Sequence, residues 1–285
     1  MQFFKSNKFL TIILLILSFY LYNNYLFLIE KNPMVDRKSS TYVNDLYASD
    51  ERIYNNYLDK TEKKIYRELV EGTKKYNGKI NIRITNKDTS VSEVADAIIT
   101  DHPELLNFGG MRYSWDSLGN YEIEVKNATP IILEQINISK IERIIYKIKQ
   151  ETKNMSDYEK IKYVYEWMGE NSDYDRTFTE MAKNQSAYNV FINKNAVCAG
   201  FAKASQIIFQ NIGIESFGVS GYTSGPHMWN IVKYEGKYYF FDSTVATSVP
   251  KTSKRYYNGL KQTTMNDYKM DNPEWYPKIE EENMK

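Results

Sequence analysis

The sequence predicts an α+β fold, and three observations carry that prediction. Amphipathic helical stretches follow Pro130, and a run of short strands comes after them from Glu215 to about Val245. A helix opens at Cys198, the only cysteine in 285 residues. Two of the later strands flank Glu235-Gly236, a dipeptide suited to a tight hairpin turn, and they carry His227 and Asp242.

Taken in order, the N-terminus is the first informative segment. Lys5 and Lys8 precede an uncharged run over 9–29, which Glu30 and Lys31 close. Its most apolar part, 10–21, has the length of a signal-peptide core, but the whole run is long enough to span a bilayer, which takes about 20 residues. No small-x-small cleavage site follows, and the single cysteine at 198 leaves no lipoprotein cysteine. The expectation is a single-pass anchor with a short cytoplasmic head at 1–8 and the rest of the chain extracytoplasmic; cleavage of the segment would instead make the protein secreted. Residues 30–60 are polar and read as a juxtamembrane stalk that turns helical near 49–57.

A small α/β leader region is expected over 61–130. The stretch 61–78 places Ile65, Leu69 and Val70 on one face and ends at Gly78, which suits a helix with a glycine cap. Alternation over 79–85 predicts a strand, 90–105 a second helix broken near Pro103, and 111–115 with 120–126 a hairpin. No chemistry is assigned to this region, and His102 reads as a surface residue at a helix end. Pro130 is taken as a boundary. Beyond it, 138–152 and 156–171 read as amphipathic helices, the second opened by Ser156 with Glu159 three positions on. The catalytic core is expected over 138–250, and the polar, Lys- and Tyr-rich residues 251–285 as a peripheral C-terminal extension.

The hairpin makes a geometric claim. If Tyr234 pairs with Lys237 across Glu235-Gly236, Trp229 falls opposite Asp242 and His227 opposite Thr244. Side chains alternate along a strand, so His227, Trp229 and Asp242 share one face, and diagonal neighbours on a face lie about 7–8 Å apart. Cys198 at a helix N-terminus sits at the positive end of the macrodipole, which favours the thiolate, as does a nearby imidazolium. A lone cysteine is commonly just a small buried residue. The joint presence of a helix-start thiol and a same-face imidazole and carboxylate points instead to an activated sulfur nucleophile, with Cys198, His227 and Asp242 as the candidate catalytic residues. The small neighbours Ala196, Ala199 and Gly200 would admit a substrate backbone, the Cys198 N–H is a natural oxyanion donor, and Gln185 is a candidate second donor.

Other chemistries are disfavoured. Lys plus Arg number 37 against 36 Asp plus Glu, so no nucleic-acid partner is indicated. Two histidines without clustered cysteines make a zinc site improbable, and neither a phosphate-binding glycine loop nor an acidic calcium loop stands out. No cofactor and no metal are expected. A single cysteine also rules out an intrachain disulfide framework.

The segment from Asn195 to Ser216, followed by HMWNIVKYEGKYYFFDST, resembles the bacterial form of the transglutaminase-like superfamily. In that family V-C-x-G-[FY]-A carries the nucleophile, H-x-W-N-x-V the histidine and G-K-Y-Y-x-x-D-x-T the acid; the matches fall on Cys198, His227 and Asp242. The run 173–198 is similar to the family's approach to the cysteine, and the resemblance covers roughly 156–247. The leader only loosely resembles one found in bacterial members. Ser243-Thr244-Val245 departs from the proline and tryptophan that many members carry there. The resemblance implies a papain-like core, in which a helix bearing the thiol packs on an antiparallel sheet bearing histidine and aspartate. It also implies thiol-dependent acyl transfer or hydrolysis on protein or peptide amides at the cell surface, through a thioester. The alternatives are a cysteine peptidase or amidase of the same fold and a non-catalytic envelope module that binds peptide or glycan.

Overall fold

The computed structural model describes residues 45–75, 78–84, 86, 88–179, 181–248 and 268–280. The expected head and span, 1–29, lie outside the described residues; among the described residues no helix is long and apolar enough to cross a membrane.

A short helix α1 (Arg52–Asn56) lies within the expected stalk, and a longer one, α2 (Lys60–Lys74), opens the leader. Asp59 and Glu62 form a reciprocal capping box at the start of α2, satisfying orphan N–H groups. Asp101, at the end of α3 (Val91–Asp101), accepts from the Ile53 and Tyr54 N–H groups and from the Tyr66 hydroxyl, which pins α1 against α2 and α3. Strands β1 (Lys79–Arg83), β2 (Phe108–Trp115) and β3 (Asn120–Asn127) form an antiparallel sheet in the order β1-β3-β2. Gly78 is not a helix cap: α2 stops at Lys74, and a Cβ at Gly78 would sit 2.6 Å from the Val125 side chain. Close packing of β1 on β3 is what requires the glycine.

Helix α4 (Ile131–Glu151) begins seven residues before the expected start at 138. Ile132, Leu133 and Ile136 are exposed, which blurs the apolar stripe, while Pro130 in extended conformation is pre-set for the N-terminal boundary. Helix α5 (Asp157–Asn171) carries the expected capping box of Ser156 and Glu159. Then β4 (Asp173–Tyr174) pairs in parallel with β5 (Asn195–Ala196), bracketing a short helix α6 (Met181–Asn184) and a π-helical turn at Asn189–Asn193. Helix α7 (Cys198–Asn211) follows and packs on a four-stranded antiparallel sheet, order β8-β7-β6-β9, built from β6 (Ser216–Tyr222), β7 (Pro226–Tyr234), β8 (Lys237–Phe241) and β9 (Lys269–Met270).

Pro130 separates sequence segments but not packing units. One continuous core joins Ile65, Leu69, Val94 and Ile98 of the leader to Val219, Trp229, Ile231 and Phe240 of the sheet. The described part of the expected stalk, 45–60, belongs to this body as well. Leu46, Ile53 and Leu58 are buried, and Ala48 exchanges two hydrogen bonds with the Gln210 side chain at 2.8 and 2.9 Å. The extension is likewise not peripheral over 268–280. β9 adds to the sheet edge at β6, and Trp275 and Tyr276 are buried, because aromatic area removed from water outweighs the polar character of the surrounding sequence. His102 is a further correction. It is buried at 5% exposure, with Nδ1 2.6 Å from Glu104 Oε1 and its ring 5.7 Å from that of Tyr66.

Candidate active site

Helix α7 is preceded by Val197, which offers no side-chain cap to the first-turn N–H groups. Nearly all of α7 is buried, and it is fixed from several sides. The Asn230 amide of β7 donates to Ala202 O at 3.0 Å, and Ser205 meets Ser243 at 3.0 Å. Gly200 serves packing rather than substrate approach: a Cβ there would lie 2.8 Å from Asn184 O and 3.0 Å from Ser186 O. Cys198 is left half-buried at the mouth of the helix.

The hairpin adopts the register its turn dictates. Glu235 and Gly236 both take positive φ, 48° and 77°, the requirement of a type I′ turn. Tyr234 pairs with Lys237 and the ladder runs to Asn230 opposite Phe241. Asp242 is therefore the first residue beyond β8, on the face shared by His227 and Trp229. His227 Nε2 lies 2.7 Å from Asp242 Oδ2, which leaves Nδ1 for the hydrogen bond between the ring and Cys198. The three residues singled out in the sequence thus meet in one place.

Asp242 is 2% exposed and well provided with donors. Thr244 donates to Oδ1 through its N–H at 2.9 Å and its hydroxyl at 2.6 Å, and the Tyr268 hydroxyl donates to Oδ2 at 2.8 Å. Burial alone would raise this carboxyl, but the His227 hydrogen bond and charge, with Thr244 and Tyr268, hold it below the usual carboxylate range. Burial likewise disfavours the imidazolium, yet Asp242 and Cys198 push His227 up to about 10. Burial opposes the thiolate of Cys198, but the imidazolium and the N–H groups of Met228 and Ala199 bring the thiol below its ordinary value. Both shifts favour the thiolate–imidazolium form of the pair.

Two participants were not legible as such. Tyr174, placed beside Cys198 by the β4–β5 pairing, hydrogen-bonds both the sulfur and the Cys198 N–H; burial, then the thiolate, pushes its phenol up to about 12. Only its position in the run before the cysteine hinted at this. Tyr268 comes from the extension, and its ring packs 5.0 Å from Trp229 and 6.0 Å from His227. A cleft of about 290 Å³ opens onto Cys198 and His227, and Tyr174, Phe178 and Gln185 are among its walls. His102 does not line it. Among the described residues, no group of three His, Cys, Asp or Glu side chains is placed to hold a metal ion.

The sequence over 146–243 matches the family model of the transglutaminase-like superfamily. The chain carries a transglutaminase-like domain. No curated protein matches it significantly. Among solved structures, the chain is similar to a candidate cysteine protease from Cytophaga hutchinsonii, at 14% identity over 47% of this chain and 61% of that one, TM-score 0.32. It is similar to a TGase at 15% identity over 68% and 60%, TM-score 0.33, and to a candidate protease from Parabacteroides distasonis at 11% over 47% and 36%, TM-score 0.30. The chain thus spans about 60% of the first two, and with TM-scores this low none of these likenesses bears on the site.

Proposed function

We propose that this transglutaminase-like protein performs thiol-dependent acyl transfer or hydrolysis on protein or peptide amides, with Cys198 as nucleophile, His227 as acid and base, and Asp242 as the group that orients and charges the imidazole. The observation that carries this is the 2.7 Å His227–Asp242 contact on one side of a ring whose other side meets Cys198. The thiolate attacks the amide carbon, and the developing oxyanion takes the place of the Tyr174 hydroxyl on the Cys198 N–H at the α7 N-terminus, with Gln185 as a second candidate donor. His227 delivers its proton to the departing nitrogen, the C–N bond breaks, and a thioester remains. Water or an amine then gives its proton to His227 while attacking the thioester, the S–C bond breaks, and the thiolate returns.

The apolar run at 9–29, flanked by Lys5 and Lys8, supports an envelope location with the cleft facing out and a protein or peptide of the cell surface as substrate. Purified protein offered a glutamine-containing protein and a labelled primary amine tests the reaction. Label incorporated by the wild type and lost in Cys198→Ala supports the transferase. Ammonia or new peptide termini without label supports the hydrolase. Absence of both, with Cys198 no more reactive than a free thiol, would leave the binding module.

A further inference from the structure

Two carboxylates line the cleft that holds the reacting groups. Asp96 of α3 and Asp271, just after β9, line the same cleft as Cys198 and His227. Neither falls within 146–243, so neither belongs to what the family match describes. Both are positioned by the fold. The Asp271 N–H donates to Ser220 O at 3.0 Å, and the Ser220 side chain hydrogen-bonds Asp96. β9 can reach this point only because residue 221 is glycine: a Cβ there would lie 2.2 Å from Lys269 O and 2.6 Å from the Trp229 ring.

Asp96 is half-buried and its charged neighbours, Asp271 and Glu93, are both negative, so burial and like charge together push its carboxyl up to about 7. Among the described residues that line the cleft, the single base is His227, whose charge is already matched by Cys198 and Asp242. Two carboxylates without a protein cation between them repel, and a ligand cation relieves that repulsion. A metal ion is a poor candidate, because two carboxylates and a hydroxyl are too few ligands for it. The neighbouring walls are apolar: Ile99 stands one helical turn from Asp96, and Phe178 and Met228 also line the cleft. Such a channel suits a long aliphatic stem with a charged head.

We propose that Asp96 and Asp271 form the specificity wall of this cleft and receive a positively charged group of the substrate, a lysine or arginine side chain or a free amino group, close to the carbonyl attacked by Cys198. The proposal rests on Cys198 being the nucleophile. Alkylation of Cys198 tests both without a known substrate: rates with cationic 2-bromoethylammonium, neutral iodoacetamide and anionic iodoacetate are compared in the wild type, Asp271→Asn and Asp96→Asn/Asp271→Asn. In each case an S–C bond forms and halide leaves. The cation-to-anion rate ratio is expected to fall by about fivefold in Asp271→Asn, and further in the double variant, with iodoacetamide changed less than twofold and the effect shrinking in high salt. A ratio unmoved by both variants, with iodoacetamide still fast, overturns the acidic wall alone. Iodoacetamide no faster with the wild type than with a free thiol overturns the nucleophile itself. Asp271 is exposed, so its variant is expected to fold even if the double variant does not.

Discussion

Replacing Lys203 by methionine is expected to stabilise the fold at neutral pH. Lys203 lies on α7 at 2% exposure, and its ammonium donates to Phe108 O at 3.3 Å and sits 5.9 Å from the Phe108 ring centre. Among the described residues it has no ion-pair partner, and burial pushes it down to about 8 from an ordinary 10.5. At 1.36 kcal/mol per unit, that difference corresponds to about 3 kcal/mol of cost for holding the charged form inside. The sign follows from proton counts. Below about pH 8 both folded and unfolded chains bind the proton and the full cost applies. Between about 8 and 10.5 the unfolded chain holds more protons, so stability rises with pH; above that window the cost is gone. Methionine keeps the stem and removes the charge, but it forfeits a hydrogen bond of about 1 kcal/mol. A net gain of about 2 kcal/mol is therefore expected at pH 7, shrinking to nothing or reversing near pH 10.5. Urea unfolding of both proteins across this range checks it, and taking the difference cancels groups common to both. A destabilised variant at pH 7, or a difference that ignores pH, would show that the ammonium is compensated inside and that burial does not govern its titration.

Three further outcomes follow from the site and its supports. His227→Ala removes the imidazolium while leaving Cys198 desolvated, so the pH midpoint for iodoacetamide alkylation is expected to rise from below that of an ordinary thiol to above it. Tyr268→Phe deletes one of the donors to Asp242; kcat is expected to fall about tenfold with KM little changed, and the Asp242 titration, followed by NMR, to move up as the carboxylate loses that hydrogen bond. Gly221→Ala forces β9 off the sheet edge, so the 268–280 segment is expected to become sensitive to protease and kcat to fall at least as far as in Tyr268→Phe.

How much of this was legible depended on whether the signal was local. The hairpin register was readable because an even, two-residue loop with Gly236 admits one pairing, and that pairing fixes the faces of His227 and Asp242. The start of α5 was readable from Ser156 and Glu159, and the start of α7 from the residues at Cys198. Periodicity gives a face but not the segment that covers it. Nothing near Tyr268 announces that its hydroxyl reaches Asp242, 26 positions earlier. Nothing in 90–105 announces that Asp96 lines the cleft or that His102 is buried, and the exposed Ile132, Leu133 and Ile136 obscured where α4 begins.

The hydrophobic interior shared across Pro130 bears on how such a protein could be rearranged by recombination. The stretch recognised as common to the family carries sulfur, imidazole and carboxylate, but Trp229 and Phe240 rest on side chains contributed from far outside it. Spliced alone into another gene, that stretch would transfer the reacting atoms and leave their foundations behind. The stretch that matches the family is here smaller than the core it packs in.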